Sequence, residues 1–235
     1  MSFANVEYLE NKKMKSKKLV IFGIAEQAEI AGYLFEFDSL YEVSAYTVHS
    51  EYKNKQKMNG KPVVNFDDVE HRYPPEEYDF FVAVGYSDTN KLREGICKSA
   101  KQKGYSLTSY VSSKAITWPG FKCGENCLIL ESNNIQPYVS IGNNVTLWSG
   151  NHIGHHSIIE DNAFISSHVV VSGGCHIKRN SFIGVNATLR DHICVEEYNI
   201  IAAGALLTKS TAAYGVYVGA PAKPLDKKSF ELDGI

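Results

Sequence analysis

Residues 151–157, Asn-His-Ile-Gly-His-His-Ser, hold the densest chemistry in the chain, and six of the eight histidines fall between positions 152 and 192. A histidine has an unperturbed pKa of about 6.5, so near pH 7 it can take a proton from an attacking group and return it later. The adjacent rings His155 and His156 are therefore candidates for a general base, and the role is open to either. His152 and His156 have an H-x3-H spacing, but a metal site needs three or four converging ligands, so no metal is expected. Cys123 and Cys127 form C-x3-C without a second pair. Five cysteines, an odd number, do not make a secreted disulfide framework, and they read as free thiols.

The histidines must be positioned by a repeat. Every sixth residue from Ile129 to Leu207 is aliphatic, fourteen in succession. Four positions after each stands a small, β-branched or short polar residue, such as Val145, Asn151, Ser157, Ala163, Val169 and Cys175. A period of six fits neither one helix nor one long strand. It fits short strands joined by tight corners, three sides closing a triangular prism whose stacked coils share one aliphatic core. Eighteen residues make a coil, so the hexads predict between four and five coils. Ile153 and Ser157 face inward, which leaves His155 and His156 outward or at a corner. Gly173 lies one coil from His155.

The first half reads differently. Residues 18–23 (KLVIFG) form an apolar strand ending at Gly23, and residues 25–37 have helical spacing. A second strand spans 42–48, a third spans 78–85 and ends at Gly85, and a helix spans 90–103 before Gly104. Strand–glycine–helix alternation implies a parallel sheet with ligands at the strand C-termini. The Gly23 loop keeps one of the three glycines of a dinucleotide fingerprint, so no NAD is expected. Beyond Gly85, the residues Asp88, Asn90 and Arg93 read either as ligand contacts or as a helix cap, by Asp88 or Asn90, and a solvated cation. A Lys/Asn-rich insertion spans 51–60.

The chain has 235 residues, with 24 Lys plus Arg against 26 Asp plus Glu. That balance excludes a nucleic-acid protein relying on a broad basic surface. Residues 1–116 carry 32 charged side chains and residues 129–208 carry nine, so the two halves are unlike domains. The apolar run 19–25 is far shorter than the about 20 residues that cross a bilayer, which predicts a cytoplasmic protein without membrane insertion.

The hexads, the histidine pair and the closing segment 217–223 (YVGAPAK) resemble the hexapeptide-repeat, left-handed β-helix acyltransferases. With the N-terminal Rossmann-like half, the chain resembles the nucleotide-sugar N-acetyltransferase and sialic-acid O-acetyltransferase group. The resemblance implies an α/β Rossmann-like domain at 1–115 that binds a nucleotide sugar, and an all-β left-handed parallel β-helix at 116–212. A tail at 213–235 would lie near coenzyme A. It further implies His155 as base, with His156 as possible partner or alternate base, and the Gly173 amide at the acyl oxygen. Gly173, Ala203, Gly219 and Lys223 would bind the coenzyme, and Gly23, Gly85, Asp88 and Arg93 the sugar nucleotide. The implied reaction is acetyl transfer from acetyl-CoA to an amino group of a nucleotide-linked deoxyamino sugar, in lipopolysaccharide or O-antigen biosynthesis, by a homotrimer. Alternatives are O-acetylation of a sugar or sialic acid, a γ-carbonic-anhydrase-like metalloenzyme, and a non-catalytic binding prism. Against the resemblance, the position after His155 is usually acidic or Asn and here is His156. A second histidine usual nine residues on is Phe164, which predicts a more apolar acyl pocket.

Overall fold

The computed structural model describes residues 15–232 and residue 234; the lysines at 12 and 13 and the first fourteen residues of the N-terminal half lie outside these. Strands β1 (Lys17–Phe22), β2 (Tyr41–Val48), β3 (Lys57–Met58), β4 (Lys61–Asn65) and β5 (Tyr78–Val82) form one sheet in the order β3-β4-β2-β1-β5. It is parallel except for the β3–β4 hairpin. Alternation on β1 sends Leu19 and Ile21 toward helix α1 (Glu26–Asp38). Val20 and Phe22 pack on the other side, toward α2 (Val69–Arg72) and α3 (Lys91–Gln102). The Lys/Asn-rich insertion is ordered: it carries a short 3₁₀ turn and β3, and turns back at Asn59 (φ 49°) and Gly60 (φ 76°). Two successive positive φ angles are what a two-residue hairpin turn requires, and Asn-Gly supplies them readily.

The second half is the expected left-handed prism of two-residue parallel strands. All fourteen hexad aliphatics, Ile129 to Leu207, are at most 5% exposed and form one continuous core. Burial of each such side chain stabilises by about 1.5–3 kcal/mol. Pairing runs in steps of eighteen residues, as Thr146–Phe164–Phe182–Ile200 on the first face and His152–Val170–Thr188–Leu206 on the second. The third face carries Ser140, Ile158, His176 and Cys194. The prism's first strand, β6 (Tyr110–Val111), lies upstream of residue 116, and its last face strand, Gly215–Val218, lies downstream of 212. No linker separates the halves: Tyr110 packs in the core around α1 and donates to Asp38 at 2.8 Å.

Each corner carries a residue in the left-handed region. Between the third and first faces these are Asn126, Asn144, Asn162, Asn180 and Tyr198; between the second and third, Tyr138, His156, Gly174 and His192. Asn and His adopt that conformation more readily than most residues, which explains why several of the histidines stand at corners.

Candidate active site

His155 stands on the edge between the second and third faces. Its N–H donates to Gln136 Oε1 at 2.9 Å, and its carbonyl accepts from Gly174 at 2.8 Å. The imidazole covers the Cα of Gly173: a Cβ there would be 2.6 Å from Cε1 and 2.7 Å from Nε2. Gly173 is thus required by the ring that lies on it. Among the described residues no oxygen accepts the Gly173 N–H, which leaves an unpaired donor on the residue that the exposed His155 ring covers. The other ring nitrogen, Nδ1, is 3.1 Å from Nδ1 of His156, whose ring lies tilted at 34° to that of Tyr138 one coil below, with centroids 4.7 Å apart. The structure therefore brings His155, His156 and Gly173 together. An exposed imidazole beside an amide without an acceptor is a pair of groups that can take a proton from a nucleophile and hold the oxygen charge of an acyl adduct.

The candidates of the N-terminal half lie elsewhere. The segment from Val82 to Arg93 rests on the first face and its edge with the third. Tyr86 meets the rings of Phe164 and Phe182, Asn180 donates to the Thr89 carbonyl at 2.9 Å, and Asn126 accepts from the Val82 N–H at 2.7 Å. Within one chain, Gly23, Gly85 and Asp88 are thus separated from His155, whose edge is opposite the first face. Gly23 is fixed by packing, since its Cβ would meet the Ala83 carbonyl at 2.6 Å. Gly85 is open, with only Gln27 Oε1 within 4 Å of such an atom. Lys55, from the insertion, donates to the Ile24 carbonyl at 3.1 Å and brings a cation to the Gly23 loop.

Three expectations at this junction are corrected. Neither Asp88 nor Asn90 caps α3 with its side chain; Asp88, Thr89 and Asn90 instead form three successive left-handed residues. Arg93 is neither solvated nor open to a ligand. It is 1% exposed and donates to Thr146 Oγ1 at 2.6 Å and to the Asn144 carbonyl at 2.8 Å. Burial lowers its pKa to about 10, and among the described residues no carboxylate pairs with it. Phe164 cannot line an acyl pocket: it is 2% exposed, stacked on Phe182 at 5.6 Å and covered by Tyr86 at 5.0 Å.

The coenzyme candidates also divide. Ala203 lies on the edge between the first and second faces, on the far side of the second face from Gly173. Its N–H lies 2.5 Å from where a Gly184 Cβ would be, so Gly184 must be bare. The Gly219 carbonyl accepts from Leu206 at 3.0 Å, which pins the turn before exposed Lys223 to the end of the second face. Among the described residues no three His, Cys, Asp or Glu could hold a metal, the five cysteines are free, and no helix is long and apolar enough to cross a membrane.

One feature escaped the sequence reading. Asn126, Asn144, Asn162 and Asn180 form a buried ladder, each side chain bonding the next at 2.9, 2.8 and 3.4 Å. Its ends hold Val82 and Thr89. The signal was an eighteen-residue period in asparagine.

A family model described as bacterial transferase hexapeptide (six repeats) matches residues 138–173, a stretch containing both His155 and Gly173. Among solved structures, the acetyltransferase domain of PglB from Neisseria gonorrhoeae FA1090 is 22% identical, with 89% of this chain and 100% of that chain covered at a TM-score of 0.78. PerB from Caulobacter crescentus, in complex with CoA and GDP-perosamine, is 20% identical, with 88% and 97% covered at 0.71. WeeI from Acinetobacter baumannii AYE is 19% identical, with 89% and 100% covered at 0.69. At these identities the likeness is one of fold, and it spans both halves of the chain.

Proposed function

We propose that this protein transfers an acetyl group from acetyl-CoA to an amino group of a nucleotide-linked deoxyamino sugar. The observation that carries the reading is the His155 imidazole lying on Gly173 with that residue's amide unpaired. Nε2 takes the proton of the attacking amine, the Gly173 N–H holds the charge on the former carbonyl oxygen, and the imidazolium then protonates the departing thiolate. No metal or NAD enters this scheme. The similar Neisseria domain has been solved with acetyl coenzyme A and the Caulobacter protein with CoA and GDP-perosamine, which supports both substrates.

In this reading the strand ends at Gly23 and Gly85, with Asp88 and Lys55, hold the sugar nucleotide. The coenzyme runs from Gly173 along the second face toward Gly219 and Lys223, with Ala203 on the face's other edge. Because His155 and Gly85 lie on opposite sides of one prism, the complete site needs a neighbouring copy, and a closed homotrimer supplies it. A cytoplasmic place in surface-glycan synthesis completes the proposal. The test is thiol release from acetyl-CoA against UDP-, GDP- and dTDP-linked amino and hydroxy sugars, with mass spectrometry of the product. An acetamide on a nucleotide sugar is expected. An ester would move the reading to O-acetylation, and absence of acetyl-CoA binding would overturn it.

A further inference from the structure

We propose that Cys123 and Cys127 form a redox-active dithiol, which closes to a disulfide by exchange with a low-molecular-weight disulfide such as oxidised glutathione. Six residues before Ile129, where the hexad pattern would place another aliphatic side chain, stands Cys123; Cys127 holds the small inward position that follows it. Both belong to the opening coil of the prism, and both pack at the end of its core. Gly124, Glu125 and Asn126 turn the corner between them, with Asn126 left-handed (φ 55°). A disulfide needs β-carbons that lie close and converge, and inward side chains on either side of one tight corner meet that condition. The two thiols hydrogen-bond to each other and to the Ser109 hydroxyl.

The pair is asymmetric. Cys127 is fully buried and its Sγ donates to the Gly142 carbonyl at 3.1 Å, so no solute reaches it directly. Cys123 is half-buried and lines an open crevice of about 490 Å³ with Lys17, Tyr41, Asp79, Ser109 and Glu125. This crevice lies at the starts of β1, β2 and β5, at the opposite end of the sheet from Gly23 and Gly85, and so apart from the site proposed above. Hydrogen bonds from Cys127 and Ser109 hold the Cys123 thiol below the usual cysteine pKa, although burial opposes them. Cys127 is pushed well up, by its bond to Cys123 first and by burial second. Cys194, the other half-buried cysteine beyond the corner, is pushed up by burial and by the Glu196 carboxylate beside it. A thiolate is the attacking species, so Cys123 is the one that meets an external disulfide. Its sulfur attacks one sulfur of the disulfide, breaks the S–S bond and releases one glutathione thiol. The mixed disulfide leaves no charge on Cys123, which removes the first cause of the high Cys127 pKa. Cys127 then attacks the Cys123 sulfur and expels the second glutathione. Two hydrogens and two electrons pass to the oxidised glutathione, which leaves as two thiols, and excess thiol reverses both steps.

Glu125 stands between the two cysteines and makes the bond readable. The folded full chain is treated with oxidised glutathione, its remaining thiols are blocked, and it is cut after Lys and Glu. Residues 123–125 and 126–131 are expected as one joined species that a reductant separates. Recovery of the two peptides apart, or oxidation at Cys97, Cys175 or Cys194 instead, overturns the proposal, and this result needs no variant to fold. Cys127→Ser should stop at a glutathione adduct on Cys123, because the resolving sulfur is gone. Cys123→Ser should leave Cys127 unmodified, because burial keeps the external disulfide from it. In urea, Cys127→Ser should spread its adducts over all four remaining cysteines, since the bonds that favour Cys123 are lost. An equal spread in the folded variant, or a glutathione adduct on Cys127 in folded Cys123→Ser, would defeat the assigned order of attack. None of these readouts uses acetyl transfer, so they stand or fall separately from the reading of His155.

Discussion

The Cε1–Nε2 edge of His155 rests on the Cα of Gly173, one coil and eighteen residues away. Gly173 has no positive φ, so alanine is tolerated by its backbone, and the conflict is confined to the ring. Gly173→Ala should therefore fold with a near-normal Tm while the imidazole swings off the amide. Misplacement of about 1 Å can cost about a hundredfold, and that loss is expected in kcat. Thiol-release kinetics and thermal unfolding of the same sample check it; undiminished turnover would remove Gly173 from the site.

The asparagine ladder gives two effects that can be separated. Asn162→Gly keeps the left-handed corner but leaves the Asn144 and Asn180 amides short of a partner, at a cost of about 1–3 kcal/mol. Asn162→Ala should cost about 1 kcal/mol more, from the left-handed penalty of a Cβ. Asn180→Gly breaks the bond to the Thr89 carbonyl as well. It should raise the KM for the sugar nucleotide, whereas the Asn162 variants should leave it alone. Urea titration and KM values measured in parallel decide this.

Much of this molecule was legible because a coil converts sequence distance into space. Ile153 and Ser157 had to face inward, which put His155 and His156 outside, and eighteen residues put Gly173 against His155. The same arithmetic places Phe164 on the first face. It does not reveal that Tyr86, almost eighty residues earlier, closes over it. Arg93 shows the same limit. A charged side chain in the first turn of a helix reads as solvated, and only the docking of α3 on the prism buries it. The ladder was hidden for another reason: asparagine is common at turns, so its period draws less notice than an aliphatic one.

Arg93 supplies a stability test. Its guanidinium is buried with two neutral acceptors, and its Nε is without a partner. Desolvating a cation offsets most of what such bonds contribute, and an apolar side chain of similar length is often neutral or better. Arg93→Met is expected within about 1 kcal/mol of the parent or more stable, while Arg93→Ala, which leaves a cavity, should lose about 2–5 kcal/mol. Equal losses in chemical denaturation would mean that the hydrogen bonds to Asn144 and Thr146, rather than packing over Phe164, hold the junction.

The separation of Gly85 from His155 predicts complementation between two inactive proteins. The space above Gly85 is open, so Gly85→Phe should block the strand-end crevice without disturbing the core. His155→Ala removes the proposed base on the opposite edge and should lower the rate by at least about a hundredfold. If the nucleotide is held by one copy and the base comes from another, each variant alone is inactive, yet mixed oligomers contain sites with both features intact. Refolding or coexpressing the two should restore a substantial fraction of parental thiol release, with sedimentation reporting a trimer in every sample. A site built within one chain would give no recovery, because each copy would still lack either its crevice or its base.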